Sequence, residues 1–142
     1  MKKIINYLSV FTLVLFLSNC DKSPTESTVD PLVGVWTWVS TSMTDGTTTL
    51  TDTPTTGSSE TVIMNEDGTC SFTFTSDGET FTGSGTWSTN GTKLTWTITM
   101  SGESTSTTLI LDYSISGNVF TGSMVETIDG DEVTTTYTYT KS

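Results

Sequence analysis

The side chains that could do chemistry in this 142-residue chain are its two cysteines and its sixteen carboxylates. The chain contains no histidine, and its five basic residues are all lysines. A serine or cysteine nucleophile needs a neighbouring base, most often histidine, and zinc sites commonly use imidazole ligands. The absence of histidine therefore excludes Ser–His and Cys–His nucleophile pairs and any metal site that depends on imidazole.

Cys70 lies in a run of alternating polar and apolar residues, in which Phe72 and Phe74 would lie on the same face of a strand as Cys70. A reactive thiolate is usually stabilised by a neighbouring cation or imidazolium, and the chain has neither arginine nor histidine to supply one. We therefore expect Cys70 to be a small buried side chain rather than a nucleophile.

The acidic residues concentrate in short turns, and Asn65–Gly68 and Asp129–Glu132 each place several oxygen atoms close together. Neither segment completes an EF-hand loop, so plain hairpin turns are favoured over calcium sites. Paired carboxylates can hydrolyse glycosides, but they must flank a cleft rather than lie in turns. The net charge of −11 and the lack of arginine argue against a nucleic-acid partner, because phosphate contacts need a basic surface. We expect no enzymatic activity, no cofactor and no metal centre.

The N-terminal segment has the features of an export signal. Met1–Lys3 is basic, Ile4–Leu17 is mostly apolar, and the polar pair Ser18–Asn19 ends the run. A membrane-spanning helix needs about 20 apolar residues, which is longer than this stretch. The segment therefore fits a signal peptide better than a transmembrane helix.

The run ends in Leu17-Ser18-Asn19-Cys20, which resembles the lipobox of bacterial lipoproteins. The resemblance implies that residues 1–19 are a lipoprotein signal peptide and that Cys20 is lipidated as the mature N-terminus. An ordinary signal peptide cleaved nearby is the alternative. Loss of Lys2 and Lys3 would change the net charge from −11 to −13.

Lipidation would place the protein in the bacterial cell envelope, attached to a membrane by acyl chains, with the leaflet left open. With Cys20 modified, Cys70 would have no partner for an intramolecular disulfide. Residues 20–31 are polar and contain two prolines, which is typical of a flexible tether. Residues 32–142 would then form the folded domain.

From Leu32 onward the sequence alternates with the period of two that indicates β-strands. About a quarter of all residues are Thr, which favours strands over helices. Six dipeptides that suit tight hairpins separate the runs: Asp67-Gly68, Asp77-Gly78, Asn90-Gly91, Ser101-Gly102, Gly117-Asn118 and Asp129-Gly130. The expected eight strands are 33–42, 60–66, 69–76, 79–88, 92–100, 104–116, 118–128 and 131–141, and only the connection 43–59 is long.

On these strands, large apolar residues share one face and mostly Thr and Ser occupy the other, as expected for a sheet buried on one side. Short hairpins in series make sequential strands pair, and an eight-stranded meander can close and so remove both edges. The sequence thus predicts an all-β, antiparallel up-and-down β-barrel of eight strands, which we expect to be a monomer. A β-sandwich or an open, half-wrapped sheet is the alternative.

Gly34-x-Trp36 at the start of such a meander resembles the signature of lipocalin-like (calycin) domains. The segment Gly85–Thr95 is similar to the mid-barrel hairpin of small bacterial lipocalin-like lipoproteins. The resemblance implies that Trp36 closes the base of the barrel with a basic residue across its ring. Lys141, on the last strand, is the basic residue available for this place. The resemblance also implies that residues 43–59 form a lid over the open end of the barrel.

An eight-stranded barrel has an interior that either is filled by side chains or holds one small ligand. Inward parity selects a set of candidate ligand-binding residues: Trp38, Phe72, Phe74, Phe81, Trp87, Trp96, Tyr113, Phe120, Glu126, Tyr137 and Tyr139. Gly83, Gly85 and Gly122 share that parity and would either leave space or allow bends. The predicted function is binding or carrying a small hydrophobic molecule. The alternative is a filled barrel that acts as a structural module or binds envelope proteins or glycans.

Overall fold

The structure, a computed structural model, describes residues 29–142. The predicted signal peptide, the lipidation site at Cys20 and most of the predicted tether lie outside the described residues. No helix that could cross a bilayer occurs between residues 29 and 142.

Residues 29–142 are all-β, as predicted, with no helix and nine antiparallel strands. Eight of these strands correspond in order to the predicted ones, and the additional one is the short β2. The strands are β1 Gly34–Thr44, β2 Thr49–Asp52, β3 Ser59–Met64, β4 Thr69–Ser76, β5 Glu79–Asn90, β6 Lys93–Met100, β7 Ser106–Ser116, β8 Val119–Ile128 and β9 Asp131–Lys141.

The sheet closes into a barrel. Strands β3 to β9 pair in sequence order, β1 pairs with β3 over residues 34–37, and β1 also pairs with β9. The β1–β9 ladder is the one that closes the cylinder, and it contains a β-bulge between Trp38 and Ser40. This pairing confirms the eight-stranded up-and-down barrel, and it excludes the β-sandwich and the open sheet.

Part of the predicted long loop 43–59 forms a β-strand in the structure. Residues 41–44 of β1 pair with Thr49–Asp52, so β2 forms a hairpin beside the barrel wall within the expected loop 43–59. The turn depends on Asp45, whose carboxylate accepts hydrogen bonds from the backbone N–H groups of Thr47 and Thr48. Those bonds and the hydroxyl of Thr47 lower the pKa of Asp45 to about 2. Asp45-Gly46 is the same kind of turn signal as the other six, and it marks a hairpin that the strand count missed.

Five of the six predicted dipeptides lie in connections between strands, and the sixth, Asn90-Gly91, begins at the last residue of β5. Asp77-Gly78 and Asp129-Gly130 have positive φ at both residues, with 52° and 54° at the aspartates. Two consecutive positive φ values are the type I′ geometry that matches the twist of a hairpin. Asp77-Gly78 thus fixes the register of β4 with β5, and Asp129-Gly130 fixes that of β8 with β9.

The Thr-rich parity faces outward, and its hydroxyls bond to one another across strands. Thr97 pairs with Thr108 at 3.1 Å, and Thr99 pairs with Ser106 at 2.8 Å. Because Thr suits a strand and still presents a polar atom to water, the unusual composition is explained by the outer surface of the barrel.

Gly83 and Gly85 lie where β5 and β6 approach each other closely. A Cβ at Gly85 would lie 1.8 Å from the carbonyl oxygen of Thr97, and one at Gly83 would lie 3.0 Å from that of Thr99. Of the two roles considered for these glycines, the geometry therefore favours a bend in the barrel wall over a space for a ligand.

A candidate ligand-binding cavity above a packed base

The base of the barrel, where β1 begins and β9 ends, is filled with side chains. Trp36 is 2% exposed, and its indole N–H donates to the carbonyl of Leu32 at 2.7 Å. Phe120 packs against Trp36 with ring centroids 5.8 Å apart. Leu94 and Leu111 are completely buried beside them. This end of the interior has no room for a ligand.

Lys141 lies across the ring of Trp36, with its ammonium nitrogen 5.2 Å from the ring centroid. The same nitrogen donates to the carbonyl of Pro31 at 2.9 Å. Gly34 makes room for this lysine, since a Cβ there would lie 2.6 Å from Cε of Lys141. Gly34 also has a φ of 141°, a backbone conformation that residues with a Cβ rarely adopt. The Gly-x-Trp motif and the last-strand lysine thus form one closing unit.

Above this base the barrel contains a cavity of about 240 Å³. Its walls are mainly aliphatic and aromatic and come from strands β3, β4, β6, β7 and β9. The lining residues are Glu60, Phe72, Trp96, Ile98, Met100, Thr107, Leu109, Leu111, Tyr137 and Tyr139. Small-molecule sites typically combine apolar walls with a few polar groups that orient the ligand. Here the charged group is a single carboxylate, Glu60.

Glu60 points into the barrel because it shares parity with the buried residues Val62 and Met64. The hydroxyl of Tyr139 donates a hydrogen bond to its Oε1 atom. Burial raises the pKa of Glu60, and the bond from Tyr139 partly opposes that rise. Burial and the nearby charge of Glu60 raise the pKa of Tyr139, which keeps this hydroxyl protonated and able to donate.

A second cavity of about 350 Å³ adjoins the first at Glu60 and lies towards the β1–β2 hairpin. Its lining includes Trp38 and Phe74 together with Leu50 and Asp52 of the hairpin. The indole N–H of Trp38 is bonded to the hydroxyl of Thr41 at 3.0 Å, so this indole N–H is already occupied. Glu60 therefore lines both the inner cavity and this outer one.

The structure divides the predicted ligand-binding residues into three groups according to their height in the barrel. Two of the groups lie away from both cavities. Alternation along a strand predicts whether a residue faces inward, but it does not predict the height of that residue along the barrel axis. The cavity walls contain Trp38, Phe72, Phe74, Trp96, Tyr137 and Tyr139; the packed base contains Trp87, Tyr113 and Phe120; the open rim contains Phe81 and Glu126.

The rim and base residues have clear structural partners. Phe81 is 45% exposed and stacks on Phe74 with centroids 6.3 Å apart. Glu126 is exposed, so it is a solvated rim residue rather than an interior group. At the base, Trp87 donates to the carbonyl of Asn65 at 3.1 Å, and Tyr113 stacks on Phe120 at 6.4 Å.

Glu60 is a charged cavity residue that the sequence prediction missed. The signal was present in the predicted strand 60–66, in which Glu60, Val62 and Met64 alternate with polar or exposed positions. The carboxylate is at the first residue of that strand, where a rim position in solvent is the usual assumption. The hairpin of β1 and β2, which lines the second cavity together with Glu60, was also absent from the sequence prediction.

The other reactive groups considered from the sequence have structural roles. Cys70 is buried, and burial raises the pKa of its thiol. The nearby indole N–H of Trp96 has the opposite, smaller effect, although it does not form a hydrogen bond with the sulfur. Asp67 uses its carboxylate to hold the backbone N–H and hydroxyl of Thr69, which lowers the pKa of Asp67. Within residues 29–142, no three His, Cys, Asp or Glu side chains group closely enough to hold a metal ion.

Comparisons of this chain with protein-family models, with curated proteins and with solved structures gave no match.

Proposed function

We propose that this protein is a lipid-anchored, lipocalin-like protein of the bacterial cell envelope that binds a small hydrophobic molecule inside its barrel. The observation that supports binding is the inner cavity of about 240 Å³, which lies above a filled base and has mostly apolar walls. Apolar surface buried on binding contributes roughly 25 cal/mol per Å², so such walls favour apolar ligands. The proposed role is binding rather than catalysis.

The lipocalin-like assignment is supported by the closing unit at the base. Gly34, Trp36 and Lys141 occupy the places that the resemblance implies for the motif glycine, the plugging tryptophan and its basic partner. Lysine lacks the planar fork of arginine, but its ammonium still reaches the indole face. The closed meander with a hairpin beside its open end agrees with the same assignment.

Filling the inner cavity should weaken binding. We expect Leu109→Trp to reduce the affinity for 1-octanol at least tenfold, because Leu109 lines the cavity and the larger ring would occupy ligand volume. Isothermal titration calorimetry of the full-length protein in lipid nanodiscs measures the change.

Ile110→Trp is the matched control, since Ile110 is the next residue on β7 and is 58% exposed on the outer face. Its affinity should stay within about twofold of the wild-type value. Absence of saturable binding by the unmodified protein would contradict the proposed function and favour a structural role. Equal loss of affinity in both variants would contradict the assignment of the inner cavity.

Anchoring is tested separately from ligand binding. If Cys20 carries the acyl chains, Cys20→Ser should move the protein from the membrane fraction to the soluble fraction, because each buried CH₂ group contributes about 0.8 kcal/mol to membrane attachment. Fractionation with immunoblotting measures the distribution, and Cys70→Ser is the control for the loss of a thiol. A membrane distribution that Cys20→Ser leaves unchanged would contradict lipid anchoring.

A further inference from the structure

Glu60 is a carboxylate in an apolar cavity without a counter-ion among the described residues. The two lysines between residues 29 and 142 are both engaged at the base end of the barrel. Lys93 is paired with Asp112 at 2.7 Å, and Lys141 lies over Trp36. The chain contains no arginine or histidine that could take their place. Glu60 is partly buried, and a charge that is partly removed from water gains from a cation beside it, which the described residues do not supply.

The hydrogen bonding of Glu60 leaves one side of the carboxylate free within residues 29–142. Tyr139 donates to Oε1, and no hydrogen bond from this region joins Oε2, which solvent still reaches. Glu60 lines both the inner and the outer cavity, so a ligand that enters from the open end reaches it before the apolar base. The carboxylate is thus held in place and still available to a donor.

The rings around Glu60 also favour positive charge. Phe72, Trp96, Tyr137 and Tyr139 line the same inner cavity. The faces of aromatic rings attract cations, with a contribution of about 0.5–2 kcal/mol that increases when the cation is desolvated. A carboxylate within a group of aromatic rings is a chemical environment that suits an ammonium group.

The open end of the barrel carries acidic residues and none of the described lysines. The turns and strand ends here include Asp77, Glu79, Glu103, Asp129, Asp131 and Glu132. Charges of one sign around a cleft raise the local concentration of oppositely charged ligands and repel those of like charge. A fatty-acid carboxylate would therefore meet repulsion at the entrance and again at Glu60.

We propose that the ligand of this cavity is a cationic amphiphile, an apolar molecule with one amine or quaternary ammonium group that binds to Glu60. The apolar part lies in the inner cavity, between Phe72 and Leu109, and the ammonium lies beside the carboxylate of Glu60. This inference rests on the proposed ligand-binding function and adds the charge of the ligand to it.

The test compares three octyl compounds that differ only in the head group: octylamine, 1-octanol and octanoate. The full-length protein in lipid nanodiscs is titrated with each by calorimetry, together with Glu60→Gln. We expect the unmodified protein to bind octylamine at least tenfold more tightly than octanol, and octanoate more weakly than either. Octylamine affinity should fall as salt is added, because the charges at the entrance are screened.

Glu60→Gln should remove the tenfold preference for octylamine and leave octanol affinity within about twofold. Glutamine keeps the oxygen that accepts from Tyr139, and it removes a carboxyl whose pKa burial raises, so this variant should fold. Glu66→Gln is the charge-matched control, since Glu66 is exposed in the turn between β3 and β4 at the base end, and it should keep the preference.

The possible outcomes separate the two proposals. Octanol binding without a preference for octylamine would overturn the cationic-ligand inference and leave hydrophobic ligand binding intact. A preference that survives Glu60→Gln would overturn the assignment of Glu60 as the binding group. No saturable binding of any of the three compounds would overturn both proposals.

Discussion

Trp36→Ala should lower the free energy of unfolding by about 3–5 kcal/mol, the usual cost of removing a large aromatic side chain from a core. Trp36 is 2% exposed, and its ring contacts Phe120 in the filled base. The substitution leaves a void there and removes the bond from the indole N–H to the carbonyl of Leu32. Since small domains are stable by only about 5–15 kcal/mol, the variant should lose a large part of its stability. Urea unfolding followed by circular dichroism measures the change.

Lys141→Met separates the contribution of the ring from that of the ammonium above it. Methionine keeps an apolar stem over Trp36 but loses the cation–π contact and the bond to the carbonyl of Pro31. We expect a loss of about 1 kcal/mol, because both contacts of the lysine are close to solvent. A loss in Trp36→Ala no larger than that in Lys141→Met would contradict the role of Trp36 as the centre of the base.

Gly85→Ala should cost about 3 kcal/mol of stability, although it adds only one methyl group. The new Cβ would lie 1.8 Å from the carbonyl oxygen of Thr97 and 3.0 Å from Cα of Ile98. Both contacts are with backbone, so a change of rotamer cannot relieve them and strands β5 and β6 must separate. Overpacking of this kind typically costs about 1–3 kcal/mol and sometimes more. Thermal or urea unfolding measures the effect.

Gly57→Ala is the matched control for this substitution. Its Cβ would have no neighbour nearer than 3.9 Å, and the backbone of Gly57 is not in the left-handed region. We expect its stability to stay within about 0.5 kcal/mol of the wild-type value, since an exposed alanine can also reduce the entropy of the unfolded chain. Equal stability of the two variants would show that β5 and β6 do not approach as closely as described.

The sequence was sufficient to predict the barrel because turn chemistry and parity are local properties. Dipeptides such as Asp77-Gly78 and Asp129-Gly130 specify tight hairpins, and hairpins in series permit a single order of strand pairing. Alternation of Thr with large apolar residues then decides which face is buried. Closure follows because one-sided burial leaves an eight-stranded meander with two edges that can pair.

The candidate site was only partly predictable from the sequence, because the position of a side chain along the barrel axis is not a local property. Parity showed that Phe72, Trp96 and Tyr113 face inward, but it carries no information about depth along the barrel axis. Tyr113 belongs to the packed base, whereas Phe72 and Trp96 line the cavity. Depth depends on strand stagger and on which side chains fill the base, and both are properties of the closed barrel.

Glu60 shows most clearly what only the tertiary structure decided. The sequence by itself determined an all-β barrel with a Thr-rich outer surface, an aromatic interior and a glycine–tryptophan closing motif. The tertiary structure decided that side chains fill the base of the interior, that a cavity of about 240 Å³ remains, and that Glu60 lies in its wall beside Tyr139. These features depend on contacts between residues as distant as β3 and β9, because a cavity is the space that remains after distant side chains have packed.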